Sequence, residues 1–272
     1  MLKKYIFPAL ITLFAVAFLI SSAVVLEYVL ESKKQRDQYN DLSSIVEQIK
    51  QEQAGANQGN SGDVDTGLLG LEDVQHPLTG EYIKVLREYV PILQRNSDLV
   101  GWIKIPGTRI DFPVLQTPDS PNFYLTRDFY KKNSRHGAIY VCEQANVNTP
   151  SDNVTIYGHK MKDGSMFSDL FEYMNKSFYL EHSQITFDTL TERHTYEILA
   201  VFLTTAGKGG FGYHWFVDGD EALFDDYVAT CKELSLYETG VTAQYGDKLI
   251  TLSTCYLGTD DGRFVVVAKR IK

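Results

Sequence analysis

Three residues far apart in this 272-residue chain could together do nucleophilic chemistry: Cys255, Arg263 and His159. Cys255 closes the apolar, β-branched run Leu249–Leu252, and Arg263 opens another, Phe264–Val267. Such runs favour strands. The loop between them, Tyr256 to Gly262, is polar and holds two glycines and two aspartates, which is turn chemistry. If the strands pair as an antiparallel hairpin, Cys255 and Arg263 oppose each other with Cβ atoms about 5 Å apart. A cation at that distance favours thiolate over thiol and can steady an oxyanion forming beside the sulfur. A lone cysteine at a strand end is more often a small buried hydrophobe. Ser253 and Thr254 before it, and the arginine after it, set Cys255 apart.

A thiol at its ordinary pKa of about 8.5 is only a few per cent thiolate near neutrality, so a nucleophilic cysteine needs a base. The chain has six histidines. His76 lies in a linker-like region, His182 and His194 sit at polar element ends, and His136 and His214 lie in loop sequence. His159 follows the strand-like run Asn153–Tyr157 and a glycine, and precedes Lys160-Met161-Lys162-Asp163-Gly164. A strand end followed by a glycine-bearing loop presents a side chain at a sheet rim, where sites are commonly built. The competing reading is a loop histidine bonded to backbone.

The other two cysteines read as core. Cys231 shares a helical stripe with Phe224, Tyr227 and Val228. Cys142 follows the strand-like run Ala138–Val141. A Cys142–Cys231 disulfide remains open from spacing alone. The formal charge of −9 argues against a nucleic-acid partner. No zinc-ligand spacing, phosphate loop or nucleotide fingerprint is present in the sequence, so no metal and no cofactor are expected.

The elements that must position these residues follow an anchor. Tyr5 to Leu26 is uncharged and would span about 33 Å as a helix, the thickness of a bilayer core. A cleaved leader has an apolar stretch of only about 7–15 residues, so an uncleaved anchor is expected. Lysines flank the span on both sides and leave its orientation undecided; the folded part is taken to lie outside. Glu27 to Gln53 reads as helical with a narrow apolar stripe at Leu42, Ile45, Val46 and Ile49, a stalk in preference to a weak helix pairing. Ala54 to Thr66 reads as a flexible linker. The expected domains are an anchor over 1–30, stalk and linker over 31–70, and a folded domain over 71–272. In that domain Glu81–Gln94 reads as helical, with Pro91 interrupting it. Eight strands follow, near 100–105, 112–116, 137–142, 153–157, 185–189, 195–203, 248–254 and 263–269. Helices near 165–180 and 221–234 interrupt them. Strands separated by turns rather than helices predict a mainly β, antiparallel or mixed barrel.

The run Thr251–Cys255 (TLSTC), Arg263 beyond it and Tyr157–Met161 (YGHKM) upstream resemble the sortases, membrane-anchored cysteine transpeptidases of Gram-positive bacteria. The resemblance covers roughly 82–272. The serine within TLSTC, the GSMFSDLFEY segment, the long helix-bearing insert before the last hairpin, and the ending RFVVVAKRI are similar to class B. Tyr256 departs from the acidic residue of some class B members. The resemblance implies an eight-stranded β-barrel with N-terminal and inserted helices after a transmembrane helix, a single pass at the cell membrane and an extracellular catalytic domain. It implies that Cys255 attacks the carbonyl after a threonine in a C-terminal sorting signal of a secreted protein. His159 would serve as general acid and base, while Arg263 and the backbone N–H of Tyr256 hold the oxyanion. The acceptor would be a cell-wall amine or a pilin lysine. Ser253 and Leu125 are expected to line the groove, together with the insert from about 204 to 247. A hydrolytic cysteine protease with the same residues, and a non-catalytic anchored binding domain, are the rival readings.

Overall fold

The structure is a computed structural model and describes residues 3–57, 70–207, 209–256, 258 and 261–272. Residues 58–66 of the expected linker lie outside the described residues, as do 257, 259 and 260 of the hairpin loop and 208 of the insert.

The chain opens with helix α1 (Lys3–Asn57), which carries Pro8 near its start. Its apolar part has a mean hydropathy of 2.3, long and apolar enough to cross a membrane. Residues up to Asn40 form a unit of their own, and a second compact unit spans Asp41–Lys272. The latter holds strands β1 (Leu71–Gln75) and β2 (Tyr82–Leu86), helix α2 (Val90–Arg95), and strands β3 (Leu99–Lys104), β4 (Asp111–Leu115), β5 (Ile139–Val141) and β6 (Asn153–Tyr157). Helix α3 (Lys176–Glu181), β7 (Gln184–Thr189), β8 (Thr195–Thr205), helix α4 (Glu221–Leu234), β9 (Leu249–Cys255) and β10 (Gly262–Arg270) complete it.

All eight expected strands are present and close into a barrel in the order β10-β8-β7-β3-β4-β5-β6-β9. The barrel is mixed, with β4–β5 and β6–β9 parallel and the other neighbours antiparallel. Its strands are apolar and buried almost throughout; Ile103, Val114, Ile156, Phe187, Leu252 and Val266 are essentially sealed from water. Each such side chain contributes about 1.5–3 kcal/mol by leaving solvent. Helix α4 lays Phe224, Tyr227, Val228 and Cys231 on Leu199 and Phe202 of β8 and Val265 and Val267 of β10. The Asp220 side chain caps it, accepting from the Leu223 N–H at 3.0 Å.

Three expectations change. Glu81–Gln94 is not one helix: its first part is β2, paired with β1. The turn from His76 to Gly80 closes that hairpin, with Gly80 in the left-handed region (φ +72°) and its N–H on the His76 carbonyl. Tyr82, Ile83 and Val85 then follow their strand preference. Pro91 lies in the first turn of α2 instead of interrupting a helix, where its missing N–H costs nothing. The expected helix over 165–180 splits into a 3-10 helix, Phe167–Met174, and α3. Asn175 makes the break: its backbone is extended and its side chain caps the Ser177 N–H at 3.0 Å. The last part of the expected stalk does not stand off from the barrel. Leu42 and Val46 are buried, Ser43 donates to Asp111, and Glu47 pairs with Lys104 at 2.9 Å.

Candidate active site

Strand register brings the three reactive side chains together. Tyr157 of β6 lies beside Ser253 of β9 in a parallel pair. Two residues further along each strand direction come His159 and Cys255, so the imidazole and thiol leave neighbouring strand ends on one rim. Antiparallel pairing of β9 with β10 sets Arg263 directly opposite Cys255, as the hairpin reading expected.

The histidine loop is tightly built. A Cβ on Gly158 would come within 2.5 Å of Ile139 Cδ1 and 2.7 Å of the Phe167 ring, so only glycine fits before His159. The His159 carbonyl accepts from the Phe167 N–H at 2.9 Å, and Ser168 Oγ accepts from the Met161 N–H at 2.8 Å. The ring itself is held by backbone: His159 Nε2 donates to the Leu125 carbonyl at 2.7 Å. A carbonyl can only accept, so Nε2 carries hydrogen and Nδ1 is the nitrogen left to exchange a proton with sulfur. Gly137 supports this arrangement at φ +58°. A Cβ there would lie 2.8 Å from the Leu125 carbonyl oxygen and 3.0 Å from His159 Cδ2.

The electrostatics agree with nucleophilic use. Hydrogen bonding to His159 holds the Cys255 thiol below the ordinary thiol range, against the opposing effect of burial, and the Arg263 charge pulls the same way. The same contact with Cys255 raises His159. Both shifts favour a thiolate–imidazolium pair. By contrast, burial raises Cys142, and pushes Cys231 up to about 12. Both are free thiols, so no disulfide joins them.

A cleft of about 510 Å³ opens over these groups. Leu125 and Ser253, expected at the groove, both border it. The Ser253 hydroxyl, however, is buried and bonded to the Tyr213 hydroxyl at 2.7 Å. Tyr256 departs from expectation. Its N–H, assigned to the oxyanion, donates to the Gly262 carbonyl at 2.8 Å. Its ring stacks on Phe171, with centroids 6.0 Å apart. The turn closing the hairpin uses the amide that the oxyanion would need. Arg263 Nη1 donates to the same carbonyl at 2.9 Å, which leaves most of its five N–H groups available.

Sequence reasoning missed several cleft residues. Tyr140 and Tyr157 pair across β5 and β6, with ring centroids 5.4 Å apart. His214 and Trp215 come from the β8–α4 insert, and burial followed by the Arg263 charge keeps His214 below the ordinary histidine range. Only the tyrosine of YGHKM and the aromatic run Phe211–Phe216 offered a signal.

Residues 103–271 match the family model described as a sortase domain. The chain belongs to the sortase family. It is 36% identical over 190 residues to sortase B of Listeria monocytogenes, covering 68% of this chain and 75% of that protein. It is 33% identical over 180 residues to sortase B of Staphylococcus aureus, covering 65% and 72%. Among solved structures, a sortase B–substrate complex from Staphylococcus aureus superposes with a TM-score of 0.72 at 26% identity, covering 89% of this chain and 99% of that one. The eight-stranded barrel and class B likeness make this sortase a cysteine transpeptidase of the sortase type.

Proposed function

We propose that this sortase is anchored in the cell membrane by a single pass of α1, with its catalytic unit outside. There it would cleave a C-terminal sorting signal of secreted proteins after threonine and pass the acyl group to an amine of the cell wall or of a pilin. The observation that carries the reading is the meeting of Cys255, His159 and Arg263 at the ends of three neighbouring strands, β6, β9 and β10. The Cys255 sulfur attacks the threonine carbonyl carbon. Arg263 N–H groups stabilise the negative oxygen that forms. Tyr256 joins them only if its N–H leaves the Gly262 carbonyl. His159 gives its Nδ1 proton to the departing amine as the C–N bond breaks, leaving a thioester on Cys255. It then takes a proton from the incoming amine, whose attack releases the thiolate. A membrane tether would hold enzyme and membrane-borne substrate at high effective concentration.

The test is product analysis. The 41–272 unit is incubated with a sorting-signal peptide, with and without a peptide amine. Amine-linked product that vanishes in Cys255→Ala is expected. Hydrolysis alone, undiminished and unredirected by added amine, would make the chain a protease instead.

A further inference from the structure

The described lining of the cleft carries an acidic side chain as well as its cations. Glu143 is the only carboxylate among the described residues that border it, whereas Arg263 and His159 stand at the reacting end. Glu143 Oε1 accepts from the neutral Gln144 Nε2 at 3.0 Å. Among the described residues no lysine or arginine is paired with it. A carboxylate that lines a cleft and has no cationic side chain on it can accept a charge-assisted hydrogen bond from a cationic group of a reactant.

Its setting is built. Glu143 rides on the turn after β5, and Gln116 Nε2 clamps that turn by donating to the Cys142 carbonyl at 2.8 Å and the Ala145 carbonyl at 2.7 Å. The Cys142 N–H is held by the Thr155 carbonyl at 2.9 Å. Beside the turn stand Tyr140 and Tyr157. The Tyr140 hydroxyl donates to Asn122 Oδ1 at 3.1 Å, which fixes that ring in the cleft wall. The Glu143 charge acts on both tyrosines, and Tyr140 also feels Cys255 and Arg263. Tyr140 pairs with Tyr157, and Tyr157 lies beside Ser253, two residues before Cys255, so the tyrosine pair runs from this turn toward the reacting end. Tyrosine rings and a carboxylate lining one cleft match an ammonium carried on an alkyl chain, which can gain ionic contact and cation–π contact with the more exposed Tyr157 ring.

We propose that Glu143, with the rings of Tyr140 and Tyr157, forms a subsite for an alkylammonium group of one of the two reactants. This rests on the transpeptidase reading for its physiological meaning. The ammonium is either a lysine side chain of the sorting peptide or the acceptor amine before it loses its proton.

The first experiment needs no turnover. Cys255 is labelled with 2-aminoethyl methanethiosulfonate and with its neutral methyl counterpart, and the ratio of the two rates is measured. Glu143→Gln should lower that cationic-to-neutral ratio about tenfold, Glu143→Asp should largely restore it, and Cys255→Ala should remove the signal. A ratio unchanged in Glu143→Gln would overturn the proposal, even if transfer activity is intact. Conversely, a ratio that falls in a protein unable to transfer any acyl group would keep the subsite and sink the transpeptidase reading. Two kinetic arms then assign the source. If the peptide supplies the ammonium, Glu143→Gln raises KM for a lysine-bearing peptide about tenfold and leaves its norleucine analogue unchanged. If the acceptor supplies it, KM for the amine rises instead. Neither KM moving would overturn the proposal.

Discussion

Two regions of the same barrel hold thiols of opposite character. Cys231 sits where α4 meets β8, sealed among Leu199, Phe202, Phe224 and Val265, and burial pushes it up to about 12. Cys255 sits at the rim, half-buried, and is lowered. Burial acts on both in the same direction. What differs is company: Cys231 has a Tyr227 hydroxyl, Cys255 an imidazole and a guanidinium. An ionisable neighbour that hydrogen-bonds the thiolate therefore outweighs desolvation, each pKa unit standing for about 1.4 kcal/mol. The chain separates a structural thiol from a reactive one by partners together with depth of burial.

The contrast is broken most completely by removing its main cause. In His159→Ala, acyl transfer should fall about 10³-fold, and the Cys255 thiol should move up toward its ordinary value, so that alkylation near neutrality slows. Initial rates on a fluorogenic sorting peptide, with iodoacetamide kinetics alongside, check both. Arg263→Lys keeps a positive charge but loses the planar fork. Transfer should fall about 10²-fold, with the melting temperature moving by under about 2 °C; unchanged turnover would remove Arg263 from the mechanism. Gly137→Ala tests the shelf beneath the imidazole. A Cβ at φ +58° costs about 1–2 kcal/mol of stability, and its crowding of Leu125 and His159 should lower kcat about tenfold while barely moving KM.

The sequence shows why these partners were only partly legible. The final hairpin could be read locally, because two apolar, β-branched runs and a polar loop lie within one short segment; the Cys255–Arg263 register followed. His159 was reachable as a strand-end histidine, but its approach to Cys255 depends on the parallel pairing of β6 with β9. Nothing local encodes that pairing. The Leu125 carbonyl that orients the ring is backbone, invisible to residue types. The bond from the Tyr256 amide to the Gly262 carbonyl is hidden from sequence for the same reason: which carbonyl takes it depends on the turn formed, not on the side chain. β2 was mistaken for helix because Ile83, Leu86 and Val90 mimic helical spacing, and the His76–Gly80 turn decides otherwise.

The most direct measurement is the pH dependence of Cys255 alkylation in the native 41–272 unit, with Cys142 and Cys231 protected by burial. The rate should rise with a midpoint below the ordinary thiol value of about 8.5, and this midpoint should shift upward in both His159→Ala and the charge-removing Arg263→Gln, further in the former. A midpoint at or above the ordinary value, indifferent to both substitutions, would contradict the account.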